Sequence, residues 1–146
     1  MSCDTTEPVD QNDDNSILQS LLNIADASKI DSLIKVFDLD GNGTVNCMEL
    51  PDSICVWQNN RIVRLNLFNV GLNGGIPEDI GNLDQLLILG LNSNQLTGEI
   101  PESIGNISKL AQLSLRNNYL TGSIPESMGK LKALWNLNLE GNQLSG

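Results

Sequence analysis

From Ile62 to Gly146 the chain repeats itself with a strict period of 24 residues, and few folds accept such a period. Counted from Ile62, position one is Ile62, Leu86, Leu110 and Leu134, position four is Leu65, Leu89, Leu113 and Leu137, and position six is Leu67, Leu91, Leu115 and Leu139. Leu72, Leu96, Leu120 and Leu144 follow at position eleven, with Gly74, Gly98, Gly122 and Gly146 two residues later. Ile76-Pro77, Ile100-Pro101 and Ile124-Pro125 recur, then Gly81, Gly105 and Gly129. Asn94, Asn118 and Asn142 hold position nine, where the first repeat has Val70. The span contains three complete repeats and thirteen residues of a fourth. A repeat this short cannot bury an apolar face alone, so successive copies must stack as coils of a solenoid.

Leu at positions four and six alternates with polar residues, the period of a short strand with one buried face, and stacked coils bring these strands into a parallel sheet. Asn at position nine sits where the chain turns inward. There its amide can satisfy backbone groups of its own and the adjacent coil. Gly at position thirteen permits a tight bend, and Pro at sixteen presets φ where no ladder donor is needed. Val70 departs from the Asn column, as a first coil with no preceding coil can.

Composition agrees with this architecture and excludes others. Leu (24) and Asn (19) are abundant among the 146 residues, while aromatics number five, so the interior is aliphatic. The chain has no His. That removes the usual general base at neutral pH, the Ser-His-Asp and Cys-His nucleophile systems and His-containing metal sites, and no other nucleophile-base pair is evident, so the expected class is non-enzymatic. The net charge of −10 is uneven, with 11 acids and two bases in residues 1–57 against seven acids and six bases in 58–146. The acidic first part argues against nucleic acid as a partner and favours a cation. No apolar run approaches the roughly 18–20 residues of a membrane span, and residues 1–15 are too polar and acidic for a signal peptide.

The pattern LxxLxLxxNxLxGxIPxxIGxL over residues 62–146 resembles the plant-type leucine-rich repeat of receptor-like kinase and receptor-like protein ectodomains and polygalacturonase-inhibitor proteins. The resemblance implies an α/β repeat fold. In it a right-handed solenoid carries a parallel β-sheet on its concave face, a second sheet near Gly-x-Ile-Pro and a helical N-terminal cap. It also implies that the concave face binds a protein or peptide, in recognition or signalling at a cell surface. The residues directed there are at positions three, five, seven and eight. They are Arg64, Asn66, Phe68 and Asn69 in the first repeat and Ile88, Gly90, Asn92 and Ser93 in the second. The third repeat contributes Gln112, Ser114, Arg116 and Asn117, and the fourth Asn136, Asn138, Glu140 and Gly141. Phe68 has a second possible role, covering the seam with the cap.

Before the repeats, residues 1–15 contain one Val and, besides Met1, no other bulky apolar side chain, and are expected to form a disordered leader. From Ser16 to Phe37, apolar residues recurring at three and four predict two short amphipathic helices with Ser16 and Ser28 as N-caps. Residues 16–60 are the candidate cap and 61–146 the repeats. Within the cap, residues 38–49 match the calcium-loop pattern D-x-[DN]-x-[DN]-G-x5-E and resemble an EF-hand. In that resemblance Asp38, Asp40 and Asn42 supply side-chain oxygens, Thr44 its carbonyl, Asn46 a water-mediated contact and Glu49 a bidentate carboxylate, with Gly43 at the sharp turn. There is no second loop to pair with it, and Pro51 interrupts the outgoing helix unless that helix begins there. Calcium binding is therefore expected to be weak.

The same segment resembles the cap of plant-type repeat proteins, which implies a Cys47–Cys55 disulfide. A continuous helix from Cys47 to Cys55 would set their Cα atoms about 12 Å apart and a disulfide needs less than about 7 Å, so helix and bridge exclude each other. The residues thus support two assignments. One is an extracellular or cell-surface binding module with a bridged cap; the other is an intracellular, cytoplasmic scaffold that responds to calcium and keeps its cysteines reduced. The chain stops mid-repeat, so a longer protein is expected. Asn42-Gly-Thr and Asn106-Ile-Ser are N-glycosylation sequons, and only Asn106 is compatible with a metal loop at 38–49.

Overall fold

The computed structural model describes residues 14–23, 51–59 and 61–146. The leader through residue 13, the second expected helix and the 38–49 loop lie outside the described residues. In chain order the elements are helix α1 (Asp14–Asn23), strands β1 (Cys55–Gln58), β2 (Arg61–Asn66), β3 (Asn73–Gly74), β4 (Ile88–Gly90), β5 (Gln95–Leu96), β6 (Gln112–Ser114) and β7 (Asn136–Asn138), with 3-10 helices at Glu78–Asn82, Glu102–Asn106 and Glu126–Lys130.

Strands β2, β4, β6 and β7 form the expected parallel sheet, and its register is the sequence period itself. Arg64 stands beside Ile88, Ile88 beside Gln112 and Gln112 beside Asn136. Below it, each coil contributes the same aliphatic set to one core. Ile62, Leu65, Leu67, Leu72, Ile80 and Leu83 are buried, as are their counterparts in the next two coils, with Met128 standing in for the third isoleucine of the 3-10 row. Burying such a side chain is worth about 1.5–3 kcal/mol. In the last coil Leu134, Leu139 and Leu144 are only partly buried and Leu137 is 42% exposed.

The second sheet pairs β3 with β5, and a bridge between Ser123 and Ser145 extends the same side of the coil. The chain then passes through Pro77, Pro101 or Pro125, with φ of −68°, −68° and −58°, into the 3-10 helix that begins at the next residue. These helices stack on one another through Gly81 and Gly105. A Cβ on either would stand 2.4 Å from the carbonyl oxygen of Ser103 or Ser127 in the following coil, so these glycines are required by close approach.

The N-terminal side departs from the sequence expectation in two places. Helix α1 already includes Asp14 and Asn15, so Ser16 is not its N-cap, and it packs Ile17, Leu18, Leu21 and Leu22 against the first coil. Tertiary bonds fix it there: the fully buried Asp14 carboxylate accepts from Arg61 Nε at 2.9 Å and from the Ile62 N–H, and pairs with Arg61 Nη2 at 2.8 Å. Residues 55–58, expected to lie in a helical cap, form a strand that pairs antiparallel with β2 through a turn containing Asn59 at φ 51°. This strand covers the edge of the first coil, which would otherwise expose unpaired backbone groups.

Candidate functional site

The concave surface is built by alternation. In each strand positions four and six face the core, so positions three, five and seven project outward, and the 24-residue register sets them in three columns. The first column is Arg64, Ile88, Gln112 and Asn136, the second Asn66, Gly90, Ser114 and Asn138, and the third Phe68, Asn92, Arg116 and Glu140. Of these, Arg64, Asn66, Phe68, Arg116, Asn136 and Glu140 are exposed, Ile88, Asn92, Gln112, Ser114 and Asn138 are half-buried, and Gly90 is buried. Phe68 is 56% exposed.

Gly90 gives the surface its relief. Without a side chain at the centre of the grid, a shallow depression of about 210 Å³ opens, lined by Asn66, Ile88, Asn92, Gln112, Ser114, Asn136 and Asn138. A Cβ at Gly90 would stand 2.7 Å from Asn66 Oδ1. The lining carries no charge: five amide side chains and one hydroxyl share it with Ile88, Leu89, Leu113 and Gly90. Two of the charges nearby cancel, because Arg116 Nε and Glu140 Oε2, stacked in the third column, lie 3.1 Å apart. Arg64, at the cap end, makes no ion pair among the described residues.

Position eight carries a backbone constraint besides its place on the concave side. Asn69, Ser93 and Asn117 have φ of 53°, 58° and 56°, and Gly141 has 72°. This left-handed turn, which Asn and Gly tolerate best, accounts for those residue types at the end of the strand without any ligand. One residue later the Asn column holds the turns. Asn94 Oδ1 accepts from the N–H groups of Val70 and Leu72 at 3.1 Å, and its Nδ2 donates to Leu67 at 2.8 Å and Leu91 at 2.9 Å. Asn118 repeats the pattern with Leu96, Leu91 and Leu115, and Asn142 with Leu120, Leu115 and Leu139. Each amide reaches back one coil, which explains why Val70 suffices in the first.

Sequence reasoning passed over position two. Val63, Leu87, Ala111 and Trp135 form an apolar line along the strand starts, with Leu87 45% and Trp135 72% exposed. The signal was four apolar residues at one repeat position. On the other side of the coil Glu102 Oε2 accepts from the Ser127 N–H at 3.2 Å. Ser127 holds the Glu102 carboxyl below its usual range through this N–H, its hydroxyl having no hydrogen-bond partner among the described residues.

Asp38, Asp40, Asn42, Thr44, Asn46, Glu49 and Cys47 all lie outside the described residues. Cys55 is buried and disulfide-bonded. It sits at the start of β1, after a turn in which Ile54 and Cys55 donate to the Pro51 carbonyl at 2.8 and 3.1 Å, so no helix runs from the loop through Cys55. No helix among the described residues is long and apolar enough to cross a membrane.

A leucine rich repeat family model matches residues 84–144. A chain of the BIR3–SERK2 complex from Arabidopsis thaliana is 32% identical over 89% of this chain and 69% of its own, with a TM-score of 0.72. The chain belongs to the leucine-rich repeat family. Other members superpose over smaller parts of their length. The PEPR1–AtPEP1 structure is 29% identical with a TM-score of 0.71, covering 92% of this chain and 19% of that one. The Arabidopsis receptor kinase HAESA, solved with the peptide hormone IDA and the co-receptor SERK1, is 38% identical with a TM-score of 0.55 over 57% of this chain and 14% of its own. This leucine-rich repeat chain thus spans less than a fifth of those two relatives. No curated protein sequence matches it.

Proposed function

We propose that this leucine-rich repeat chain is a non-enzymatic recognition module of receptor type, acting at the cell surface, whose concave face binds an extended peptide or peptide-like segment of a partner protein. The observation that carries this reading is the amide-lined depression over Gly90. Asn and Gln side chains both donate and accept, as the main chain of an extended peptide does, so Asn66, Asn92, Gln112, Asn136 and Asn138 can engage a backbone without selecting a charge. Phe68 offers an apolar anchor at one side. Arg64, which has no ion pair among the described residues, supplies a cation for an anionic group of the ligand. The likeness to the receptor kinase HAESA, solved in complex with a peptide hormone, supports the reading.

Screening the full chain against a displayed library of secreted peptides tests this. Binders should lose affinity with Arg64→Ala, and with Gly90→Trp, which fills the depression. They should keep it with Glu78→Ala or Glu126→Ala on the 3-10 row. A binder that responds only to the Glu changes overturns the concave assignment.

For the cap, we propose a Cys47–Cys55 bridge and a distorted, weak calcium site at 38–49. The disulfide at Cys55 and the turn at Pro51 support the first, since a turn removes the helix that would hold the two cysteines apart. Non-reducing peptide mapping with calcium titration checks both: a Cys3–Cys55 bridge, or free thiols with micromolar calcium-dependent stabilisation, would reverse this assignment.

A further inference from the structure

We infer that Asn106 is an acceptor for an N-linked glycan, standing on the 3-10 side of the coil and leaving the concave face open. In physiological terms this rests on the cell-surface reading above, because the modification occurs in the secretory pathway. Asn106-Ile-Ser is the complete acceptor pattern, and the fold presents it in one way. Of the four residues 104–107, Ile104 and Ile107 are fully buried and Gly105 is buried against Ser127, while Asn106 is exposed. The two flanking isoleucines and the close approach at Gly105 pin the backbone, so the Asn106 side chain is held outward. Its carboxamide has no hydrogen-bond partner among the described residues, and the Ser108 N–H donates to the Asn106 backbone carbonyl at 2.8 Å. The residues at the same place in the neighbouring coils, Asn82 and Lys130, are also exposed, so no bulky wall stands above or below.

The concave columns lie on strands β2, β4, β6 and β7. Asn106 ends the second 3-10 helix, whose packing partners are the other 3-10 helices, so a glycan here is directed away from the strand surface. Chemically, Asn106 Nδ2 forms a bond to the anomeric carbon of an oligosaccharide carried on a lipid pyrophosphate. The anomeric C–O bond breaks, the lipid pyrophosphate leaves as an anion, Nδ2 gives up one proton, and nothing is oxidised or reduced.

The test is glycopeptide mapping of the full chain after passage through the endoplasmic reticulum of a plant or insect host, directed there by an added leader. The expected result is a glycan on Asn106 in folded, secreted protein, lost in Ser108→Ala and retained in Ser108→Thr, with the circular dichroism of all three unchanged. Unmodified Asn106 in folded, secreted wild-type protein overturns the inference. The same mapping on protein taken from its natural source separates the two readings. If the secreted form is occupied and the natural form is bare, Asn106 stands as an acceptor and the cell-surface assignment fails.

Discussion

At the scale of single residues, the Asn column separates a structural amide from a binding one. Asn118 is 4% exposed and bonds four backbone groups drawn from its own and the preceding coil, while Asn142 makes the same kind of bonds but is only half-buried. Removing a side chain that leaves buried backbone groups unpaired costs about 1–3 kcal/mol each where water cannot replace it. Asn118→Ala should therefore lower stability by at least about 1 kcal/mol more than Asn142→Ala in paired denaturant titrations, and equal losses would contradict the ladder. This amide was legible in the sequence because it recurs at position nine with an aliphatic neighbour on each side. Position eight has a backbone role that the pattern did not reveal, because αL geometry and ligand contact both favour Asn and only the dihedral angle displays the first. The depression over Gly90 was not legible: it depends on which side chain in the neighbouring strand leans over the gap.

Between elements, the two tests concern how the cap is clamped to the first coil and how one coil is joined to the next. The Asp14 carboxylate is wholly buried, whereas the Arg61 side chain is 24% exposed and also pairs with Asp84 at 2.9 Å. Breaking a buried pair is costly chiefly when it strands the charge that stays dry. Arg61→Leu, which leaves the buried Asp14 carboxylate without a counter-charge and with the Ile62 N–H alone of these partners, should destabilise by about 3 kcal/mol, more than Asp14→Leu, which frees that N–H but leaves Arg61 with Asp84, the Asn82 carbonyl and water. Chemical denaturation of the two variants checks the order, and the reverse order would show that the clamp does not hold α1. Glu102 joins the second and third 3-10 helices through Ser127. Its folded-state pKa is depressed, so its contribution is present above the unfolded carboxylate value and is lost as pH falls through the folded one. The melting temperature of wild type should exceed that of Glu102→Gln above about pH 4.3 and converge with it in more acid solution. A gap that stays constant with pH would assign the effect to packing.

For the whole molecule, stability is a sum of coils and their interfaces, so it falls toward an incompletely covered end. Leu89 and Leu113 are buried, whereas Leu137 in the same column is 42% exposed. Backbone amides of β4 and β6 should exchange with solvent more slowly than those of β7, measured by native-state hydrogen exchange, and uniform protection would mean that the coils unfold as one unit. The solenoid, its register, its aliphatic core and the three outward columns were all determined by the sequence alone, because a 24-residue period with alternating Leu admits one way of stacking identical coils. The clamping of α1 to the first coil, the strand at residues 55–58 and the relief of the concave face were decided by the tertiary structure. Each depends on groups far apart in the chain: Asp14 with Arg61, Ile54 with Asn66, Asn66 with Gly90. Periodicity reports contacts that repeat, and these contacts occur once.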